Sequence, residues 1–291
     1  MPLTKPSRRR LGREALRAWY APRRDAYPWR GSHDPYAIWV SEVMLQQTQA
    51  SRVVPAFGSF LRRFPTVRAL AAAPRRDVVE EWGGLGYNRR AVRLSEAARV
   101  VVRDHGGRIP RDPVTLRELP GVGPYTAAAV ASLGFGEPVA VVDTNVRRVV
   151  SRVHLGVDGH EVPARQAWGL AEGWLDRDDP VTWNQALMDL GREVCRPKPR
   201  CDVCPLAGVC RFRRAGSVAL RGPSRQGPFE GSTRQVRGAV VKALRSNPSL
   251  TPAGLAVETR FSRDRIDDAV KTLALDGLVE MVRGEVRLAR S

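Results

Sequence analysis

The sequence predicts an all-α domain followed by a small C-terminal winged-helix-like module. From about residue 35 to residue 220, apolar residues recur at helical spacing in segments separated by glycine and proline. Few segments alternate with a period of two, so this part holds no extended sheet. Three more helical segments and two short apolar runs split by Arg283-Gly284 follow, an order typical of a winged helix.

Each element can be assigned in chain order. We assign no helix to residues 1–30, which are basic and end in Tyr27-Pro28-Trp29-Arg30. The pattern predicts helices over residues 38–50, 55–63, 67–72, 77–82, 90–105, 116–119, 125–133, 145–153, 163–175 and 182–194. It then predicts helices over residues 233–244, 252–257 and 262–275 and strands over residues 278–282 and 285–288. The domains that follow are residues 1–215, a Gly/Pro/Ser/Arg-rich linker over residues 216–232, and a module over residues 233–291.

The charge of the chain favours a nucleic-acid partner. Its 291 residues carry a formal net charge of +18 and a pI near 11.1, and such a surplus favours a polyanion. No apolar run approaches the ~20 residues that span a bilayer, and the basic N-terminus lacks the apolar stretch of a signal peptide. We therefore expect no membrane association, a cytoplasmic location and reduced cysteines.

The four cysteines of the chain lie within 16 residues, in the pattern C-x5-C-x2-C-x5-C: Cys195, Cys201, Cys204 and Cys210. Four soft thiolates in one loop suit zinc or an iron–sulfur cluster. A zinc site more often shows two C-x2-C pairs, and only Cys201 and Cys204 have that spacing. The flanking basic residues are expected if the loop lies against phosphates.

Three further motifs carry chemistry. Residues 119–126, LPGVGPYT, predict a tight turn whose amides face outward before a helix, an arrangement that grips phosphate. Asp143 follows an apolar run at the start of a helix, where it could be an ordinary N-cap or a functional carboxylate. Glu42 lies among apolar residues at helical spacing, where desolvation favours the protonated form and suits the group to donate a proton.

Together these stretches resemble the adenine DNA glycosylases, the MutY family of the helix-hairpin-helix superfamily. The resemblance rests on WVSEVMLQQTQ, EWGGLGYNRRA, LPGVGPYTAAAVAS, VVDTNVRRV, NQALMDLG and the cysteine loop, in this order, between about residues 27 and 215. It implies a helix-hairpin-helix DNA glycosylase fold, with two helical subdomains around a cleft. It also implies a [4Fe–4S] cluster held by residues 195–210, which favours a cluster over zinc.

The resemblance implies a monofunctional glycosylase of base excision repair. Its substrate would be double-stranded DNA with adenine mispaired with 8-oxoguanine or guanine, the adenine being flipped out of the duplex. Glu42 matches the general acid that protonates the adenine ring, and Asp143 matches the carboxylate that stabilises or transiently bonds the sugar carbon. Asn145 and Tyr125 match residues that position these groups.

The same resemblance implies three sets of contacts to DNA. They are a wedge that includes Gln47 and Tyr87 with the neighbouring Gln46, the hairpin Gly121-Val122-Gly123, and the floor of the adenine pocket at Trp29 and Arg30. We expect the protein to be a monomer associated with the bacterial nucleoid.

Lysine chemistry is expected to be absent. Bifunctional relatives carry a lysine at the position of Tyr125 that forms a Schiff base with the sugar. In residues 1–215 the only lysines are Lys5 and Lys198, and neither lies near these motifs. We therefore predict no efficient lyase activity.

Three departures from the family stand out. The first cysteine gap is five residues, where the family usually has six, and Asn88 occupies a position where many relatives have a second tyrosine. The residues after Ser232 are too few for the Nudix-like domain that reads 8-oxoguanine in most relatives. In the winged-helix-like module, acidic residues are interspersed with the arginines of the candidate recognition segment, so DNA contact and protein contact both remain open.

Two alternatives are kept. A mismatch thymine or uracil glycosylase of the same superfamily can share the tyrosine and aspartate positions, whereas Glu42 in its context favours adenine. A non-enzymatic winged-helix regulator that uses the cluster as a redox sensor would not need Glu42 or Asp143.

Overall fold

A computed structural model of the chain describes residues 8–23, 27–216 and 227–289. The first part of the chain forms α1 (Arg8–Tyr20), α2 (Pro35–Leu45), α3 (Ala50–Arg63), α4 (Val67–Ala72), α5 (Arg75–Trp82), α6 (Arg89–Asp104), α7 (Pro113–Leu116), α8 (Pro124–Ala129), α9 (Thr144–His154), α10 (Ala164–Trp174), α11 (Pro180–Glu193) and α12 (Arg211–Arg214). The last part forms α13 (Thr233–Ser246), α14 (Pro252–Thr259), α15 (Arg263–Leu275), β1 (Val279–Val282) and β2 (Glu285–Leu288). The all-α prediction with a small C-terminal strand pair is therefore confirmed.

The chain divides into two compact units. The first comprises Met1–Trp39, Arg111–Arg117 and Val122–Ser224, and the second comprises Val40–Pro110, Glu118–Gly121 and Arg225–Ser291. Both units are therefore assembled from separate stretches of the chain.

The core of the first unit forms around α9. One face of this helix is apolar and buried, because valines occupy positions i, i+3, i+4 and i+7: Val146, Val149, Val150 and Val153. Residues of α1, α10 and α11 complete this core. Arg13 ties α1 to the end of α10 by donating to the Leu175 carbonyl at 2.7 Å.

The core of the second unit includes residues of both α5 and α6 and the C-terminal module. Val79 of α5 and Val92 of α6 belong to the same buried cluster as Val240 of α13 and Leu273 of α15. The winged-helix-like module therefore shares its apolar interior with two helices that precede it by more than a hundred residues.

The module has the predicted order of three helices and a hairpin. Strand β1 pairs antiparallel with β2, Val279 opposite Leu288. Both residues of the turn have positive φ, 52° at Arg283 and 81° at Gly284, as a two-residue type I′ turn requires. An isolated antiparallel β-bridge between Leu250 and Val286 adds a third short segment beside β2.

Several helix boundaries differ from the prediction. The predicted helix over residues 38–50 ends at Leu45, because Gln47 adopts a left-handed conformation with φ 54°. The next helix begins at Ala50 and continues through Pro55. The helix predicted over residues 116–119 lies earlier in the chain, as α7 (Pro113–Leu116). Asp112 is its N-cap and accepts a hydrogen bond from the Thr115 amide at 2.9 Å.

Two local features were not predicted. Helix α1 lies within the basic residues 1–30, which had no assigned helix. Helix α8 passes into a π-helical turn at Val130–Gly134, where the added Cβ of an alanine at Gly134 would lie 2.9 Å from the Pro35 Cα. Of the predicted linker, residues 217–226 lie outside the described residues, as does Lys5.

Among the described residues, none of the helices combines the length and the apolar character needed to cross a membrane.

Candidate active site and cysteine loop

Asp143 is the N-cap of α9 and holds a second hydrogen bond as well. Its Oδ1 accepts from the Val146 amide at 2.6 Å, and its Oδ2 accepts from the Asn145 side-chain nitrogen at 2.8 Å. Desolvation by the surrounding protein raises the pKa of Asp143, while the hydrogen bonds from Val146 and Asn145 oppose that rise. The capping role and the role of a held, partly desolvated carboxylate are therefore compatible.

Asn145 connects this carboxylate to the cysteine loop through Arg148. The Asn145 side-chain oxygen accepts from Arg148 Nη2 at 2.8 Å. Arg148 in turn donates from Nη2 to the Gly191 carbonyl at 2.7 Å and from Nε to the Cys195 carbonyl at 2.6 Å. A continuous line of hydrogen bonds thus runs from Asp143 to the backbone of the first cysteine.

Gly191 is needed for this packing. A Cβ at Gly191 would lie 2.7 Å from the Asn145 Cβ and 3.0 Å from its backbone carbonyl, which is too close for any side chain. The glycine therefore allows α11 to approach the first turn of α9 beside Asp143.

Trp29, which is predicted to line the base pocket, stacks on a second aromatic ring in the first unit. Trp29 is 4% exposed, and its ring lies parallel to that of Tyr27, with 5.2 Å between centroids. Arg192 covers the Tyr27 ring at 5.1 Å and donates to its hydroxyl at 3.0 Å. The stack is thus held from the side of α11.

Arg30 pairs with a buried carboxylate that the sequence analysis missed. Arg30 Nη2 lies 2.7 Å from Asp189 Oδ1, and Arg192 lies 3.2 Å from the same oxygen. Burial raises the pKa of Asp189, Arg30 and Arg192 lower it, and the carboxylates of Glu193 and Asp143 raise it through charge repulsion. The Arg30 Nε is buried without a hydrogen-bond partner.

The remaining catalytic candidates lie on α2 and α8. Glu42 is on the last two turns of α2 and is 3% exposed. Tyr125 is the second residue of α8, half-buried, and packs against an apolar cluster that contains Ile38 and Val141.

The predicted wedge residues stand on strained turns of the second unit. Among the described residues, four non-glycine residues have positive φ, and two of them are Gln47 at 54° and Tyr87 at 47°. A bulky residue in this conformation is unusual and marks stored strain that is often functional. Tyr87 is 39% exposed, while Gln46 is half-buried and Asn88 follows as the N-cap of α6.

One half-buried arginine, Arg90, joins these two turns. Its guanidinium donates to acceptors on both of them: the carbonyls of Val43, Met44, Gln46, Gly86 and Tyr87 and the hydroxyl of Thr48. It also lies over the Tyr87 ring, 5.6 Å from its centroid. Burial lowers the pKa of Arg90 to about 10, which leaves it charged at neutral pH. Arg90 is the second residue that the sequence analysis missed.

The hairpin between α7 and α8 has the predicted tight turn. Gly121 has φ 77°, and a Cβ there would lie 2.8 Å from the Arg93 Cβ. Gly121 and Gly123 are exposed and Val122 is buried. Gly123 is the N-cap of α8, with an extended backbone. Both glycines therefore leave backbone accessible on the outer side of the turn.

The four cysteines line one cavity, with an empty volume of about 380 Å³ that includes open solvent. Although only five residues separate Cys195 from Cys201, Cys195 lines the same cavity as the other three cysteines. Among the described residues, no three His, Cys, Asp or Glu side chains are grouped closely enough to hold a single metal ion. Burial raises the pKa of the Cys204 thiol to about 12, so metal binding must displace protons.

A buried arginine of α9, Arg152, contacts the cysteine loop. Arg152 donates to the Cys195 sulfur at 3.6 Å and to the Arg196 carbonyl at 2.7 Å. It also pairs with Asp158 at 2.8 Å, and its guanidinium lies 4.7 Å from the centre of the Phe212 ring. A fixed positive charge therefore lies beside the cysteine cavity.

Similarity to known proteins identifies the family of the chain. Residues 40–168 match the HhH-GPD superfamily of base excision DNA repair proteins. An adenine DNA glycosylase of Mycolicibacterium smegmatis (strain ATCC 700084 / mc(2)155) is 42% identical over 268 residues, 91% of this chain and 91% of that protein. The chain belongs to the adenine DNA glycosylase family. A second family member, from Mycobacterium tuberculosis (strain ATCC 25618 / H37Rv), is 44% identical over 271 residues, 91% of this chain and 88% of that protein.

A solved structure shows the same fold outside the adenine DNA glycosylase family. The structure of a thermostable thymine-DNA glycosylase has 32% identity and a TM-score of 0.66, covering 71% of this chain and 97% of that chain. The matches to the mycobacterial family members cover more of this chain, and at 91% they must include part of residues 227–289. The C-terminal region is thus partly shared within the family.

Proposed function

We propose that this member of the adenine DNA glycosylase family hydrolyses the N-glycosidic bond of adenine mispaired with 8-oxoguanine or guanine in double-stranded DNA. The observation that carries the proposal is the carboxylate of Asp143, held by Asn145 where α11 packs against the first turn of α9. Helix α11 also carries Asp189, the partner of Arg30. Such a site can accept a flipped base and the positive charge that develops on its sugar.

The two carboxylates divide the chemistry between them. Glu42 acts as the general acid that protonates the adenine ring, so that the base leaves as a neutral group. Asp143 stabilises the positive sugar carbon, or bonds it transiently, as the second carboxylate of a retaining glycosidase does. Asn145 and Tyr125 position these groups and the sugar.

The base pocket has a stacking face and a polar edge. The Trp29 ring, backed by Tyr27, offers the stacking face. Arg30 with its unpartnered Nε and the buried Asp189 offer a donor and an acceptor at one edge. Adenine carries both acceptor ring nitrogens and a donor amino group, so a paired donor and acceptor suit it.

The DNA duplex is held and opened elsewhere on the chain. The hairpin Gly121-Val122-Gly123 contacts phosphates through its backbone, and the net charge of +18 favours binding of the polyanion. Gln47 and Tyr87, with Gln46, enter the gap that the flipped base leaves. We expect a monomer that acts on the chromosomal DNA of the nucleoid.

The cysteines fit a [4Fe–4S] cluster. Four thiols line one cavity, and the resemblance to the adenine DNA glycosylases favours a cluster over zinc. Cys195, Cys201, Cys204 and Cys210 would hold it, and Arg152 would offset its negative charge. When bound, the cluster supplies iron–thiolate bonds that fix the loop.

Lyase activity requires an amine nucleophile, and the position that a lysine would occupy is Tyr125. We therefore expect glycosylase activity without efficient strand cleavage. Incubation with abasic duplex and borohydride tests this, because a Schiff base would be trapped as a covalent adduct. Efficient trapping would contradict the expectation.

Base release from duplexes decides the function. Duplexes with A, T or U opposite 8-oxoguanine or guanine are incubated with excess enzyme, and we expect release of adenine. Glu42→Gln keeps the size of the side chain but removes the acid, so base release should be lost while DNA binding remains. Failure of every duplex to release a base would refute the proposal.

A thymine or uracil glycosylase is the second candidate, favoured by the likeness to the thymine-DNA glycosylase structure. Release of T or U but not A in the same assay would establish it. Membership of a glycosylase family argues against the non-enzymatic regulator.

A further inference from the structure

The C-terminal module contacts the proposed wedge through Arg234. This residue lies in the first turn of α13, and its Nη1 donates to the Tyr87 hydroxyl at 3.3 Å. Its Nη2 donates to the Gly227 carbonyl at 2.9 Å. Both ends of the guanidinium are therefore engaged, one by the chain segment before α13 and one by the proposed wedge residue.

Tyr87 is held at two points as a result. Its backbone carbonyl and the face of its ring meet Arg90, and its hydroxyl meets Arg234. Two hydrogen-bonded arginines at opposite ends of an exposed tyrosine restrict the direction in which the ring points. This matters more at a strained backbone position, where the native conformation persists only if the surroundings enforce it.

The position of Arg234 is itself fixed by docking of the module. The turn after α15 receives arginines from both α6 and α13, because Asp276 pairs with Arg89 at 3.2 Å and with Arg237 at 2.5 Å. Arg75 of α5 donates to the Gly277 carbonyl at 3.2 Å. Together with the shared apolar core, these contacts keep α13 in place beside the Tyr87 turn.

We propose that Arg234 is a positioning residue for Tyr87, and that through it the C-terminal module takes part in opening the duplex and sensing the base opposite the excised one. The proposal rests on the proposed function, since it takes Tyr87 to be the wedge. A side chain that fills the gap left by a flipped base lies against the orphaned base, so its orientation affects how that base is accommodated. The partner of this surface is duplex DNA.

A double-mutant cycle tests the link. Arg234→Gln removes the charge and the fork of donors, and Tyr87→Phe removes only the hydroxyl that Arg234 binds. The probe is a duplex with 2′-fluoro-2′-deoxyadenosine opposite 8-oxoguanine or guanine. It also carries 2-aminopurine next to the opposite base, and the fluorescence of 2-aminopurine rises when it unstacks. Single-turnover adenine release is measured in parallel on the unmodified duplexes.

We expect each single variant to lower both the fluorescence increase and the release rate about three- to tenfold, the range for one lost side-chain hydrogen bond. In the Tyr87→Phe background, Arg234→Gln should add less than about a factor of 1.5, and Arg234→Lys should recover part of the loss in the Tyr87 background. The ratio of rates for 8-oxoguanine and guanine duplexes should change with Arg234→Gln.

Lys242→Gln is the matched control, since it removes the same charge from an exposed position of the same helix and should leave both readouts unchanged. Thermal unfolding of all variants shows whether they fold. Independent, multiplicative effects of the two substitutions would overturn the proposal, as would a wild-type protein that binds the duplex without unstacking 2-aminopurine. If the wild type releases no adenine, the proposed function fails, while the fluorescence cycle still decides the link.

Discussion

At the scale of single residues, the main result concerns Asp143. Sequence alone left a choice between an N-cap and a functional carboxylate, and the two oxygens make both roles compatible, because Oδ1 caps α9 while Oδ2 accepts a hydrogen bond from Asn145. An N-cap aspartate is common, so no local pattern separates the two roles. The proposed catalytic role depends on Asn145, which holds the second oxygen.

Asn145→Ala should shift the pH dependence of adenine release. Burial raises the pKa of Asp143 and the Asn145 hydrogen bond lowers it, so its loss raises the pKa further. In the proposed mechanism the ionised form of Asp143 is the active one, so activity falls as pH drops through this pKa. The acidic limb should therefore move to higher pH, with a rate at neutral pH about ten- to a hundredfold lower.

Single-turnover rates between about pH 4 and pH 9, a range that begins near the ordinary carboxyl pKa and extends above it, measure this shift. Alanine keeps the Cβ that packs against Gly191, and Thr144→Ala, at the exposed neighbouring position, is the control. An acidic limb that stays in place in Asn145→Ala would show that Asn145 does not tune Asp143.

Candidate residues that belong to a sequence motif could be predicted, whereas residues that matter through a tertiary contact could not. The cysteines and the glycines of the hairpin follow from spacing, and the structure brings the cysteines to one cavity. Asp189 and Arg90 were missed, because an acidic residue in a helix and an arginine among arginines have no signature in a single sequence. Arg30 lies 159 residues from Asp189, and the carbonyls at the turn after α2 lie more than 40 residues from Arg90.

At the scale of elements, two turns are organised by one arginine. The turn after α2 and the turn before α6 each contain a left-handed residue, Gln47 and Tyr87, and Arg90 bonds to carbonyls of both. The sequence predicted a continuous helix over residues 38–50, since nothing in its apolar spacing reveals that a distant guanidinium stabilises a break. Tertiary contacts therefore override helix periodicity at this point.

Arg90→Met should lower both stability and wedge function. The substitution keeps an unbranched chain but leaves several turn carbonyls without a donor, which should cost roughly 2–4 kcal/mol in the free energy of unfolding. We also expect slower adenine release, because the turns that carry Gln47 and Tyr87 lose their common anchor. Denaturant unfolding and single-turnover release measure the two effects.

Arg103→Met is the matched control on the same helix, since Arg103 is exposed and pairs only with the adjacent Asp104 among its described contacts. It should change the unfolding free energy by about 0.5 kcal/mol or less. Equal stability of the two variants would contradict the anchoring role of Arg90.

At the scale of the whole molecule, the sequence predicts the elements of the C-terminal module but not what the module packs against. Its helices and hairpin were predicted, since caps, glycines and period-two runs are local signals. The division into residues 1–215 and 233–291 remains a prediction. What no local signal could reveal is that Val79 and Val92 lie in one buried cluster with Val240 and Leu273.

This shared core predicts that α6 and the C-terminal module unfold together. Leu273→Ala removes a buried side chain of α15 and should cost about 2–5 kcal/mol. Because Val92 of α6 packs in the same cluster, protection of the α6 amides from hydrogen exchange should fall by the same free energy as that of the α13 amides. Leu275→Ala, on the same helix but 87% exposed, should change neither. If Leu273→Ala loosens α13 and leaves α6 protected, the module is an independent folding unit and its link to Tyr87 is a surface contact only.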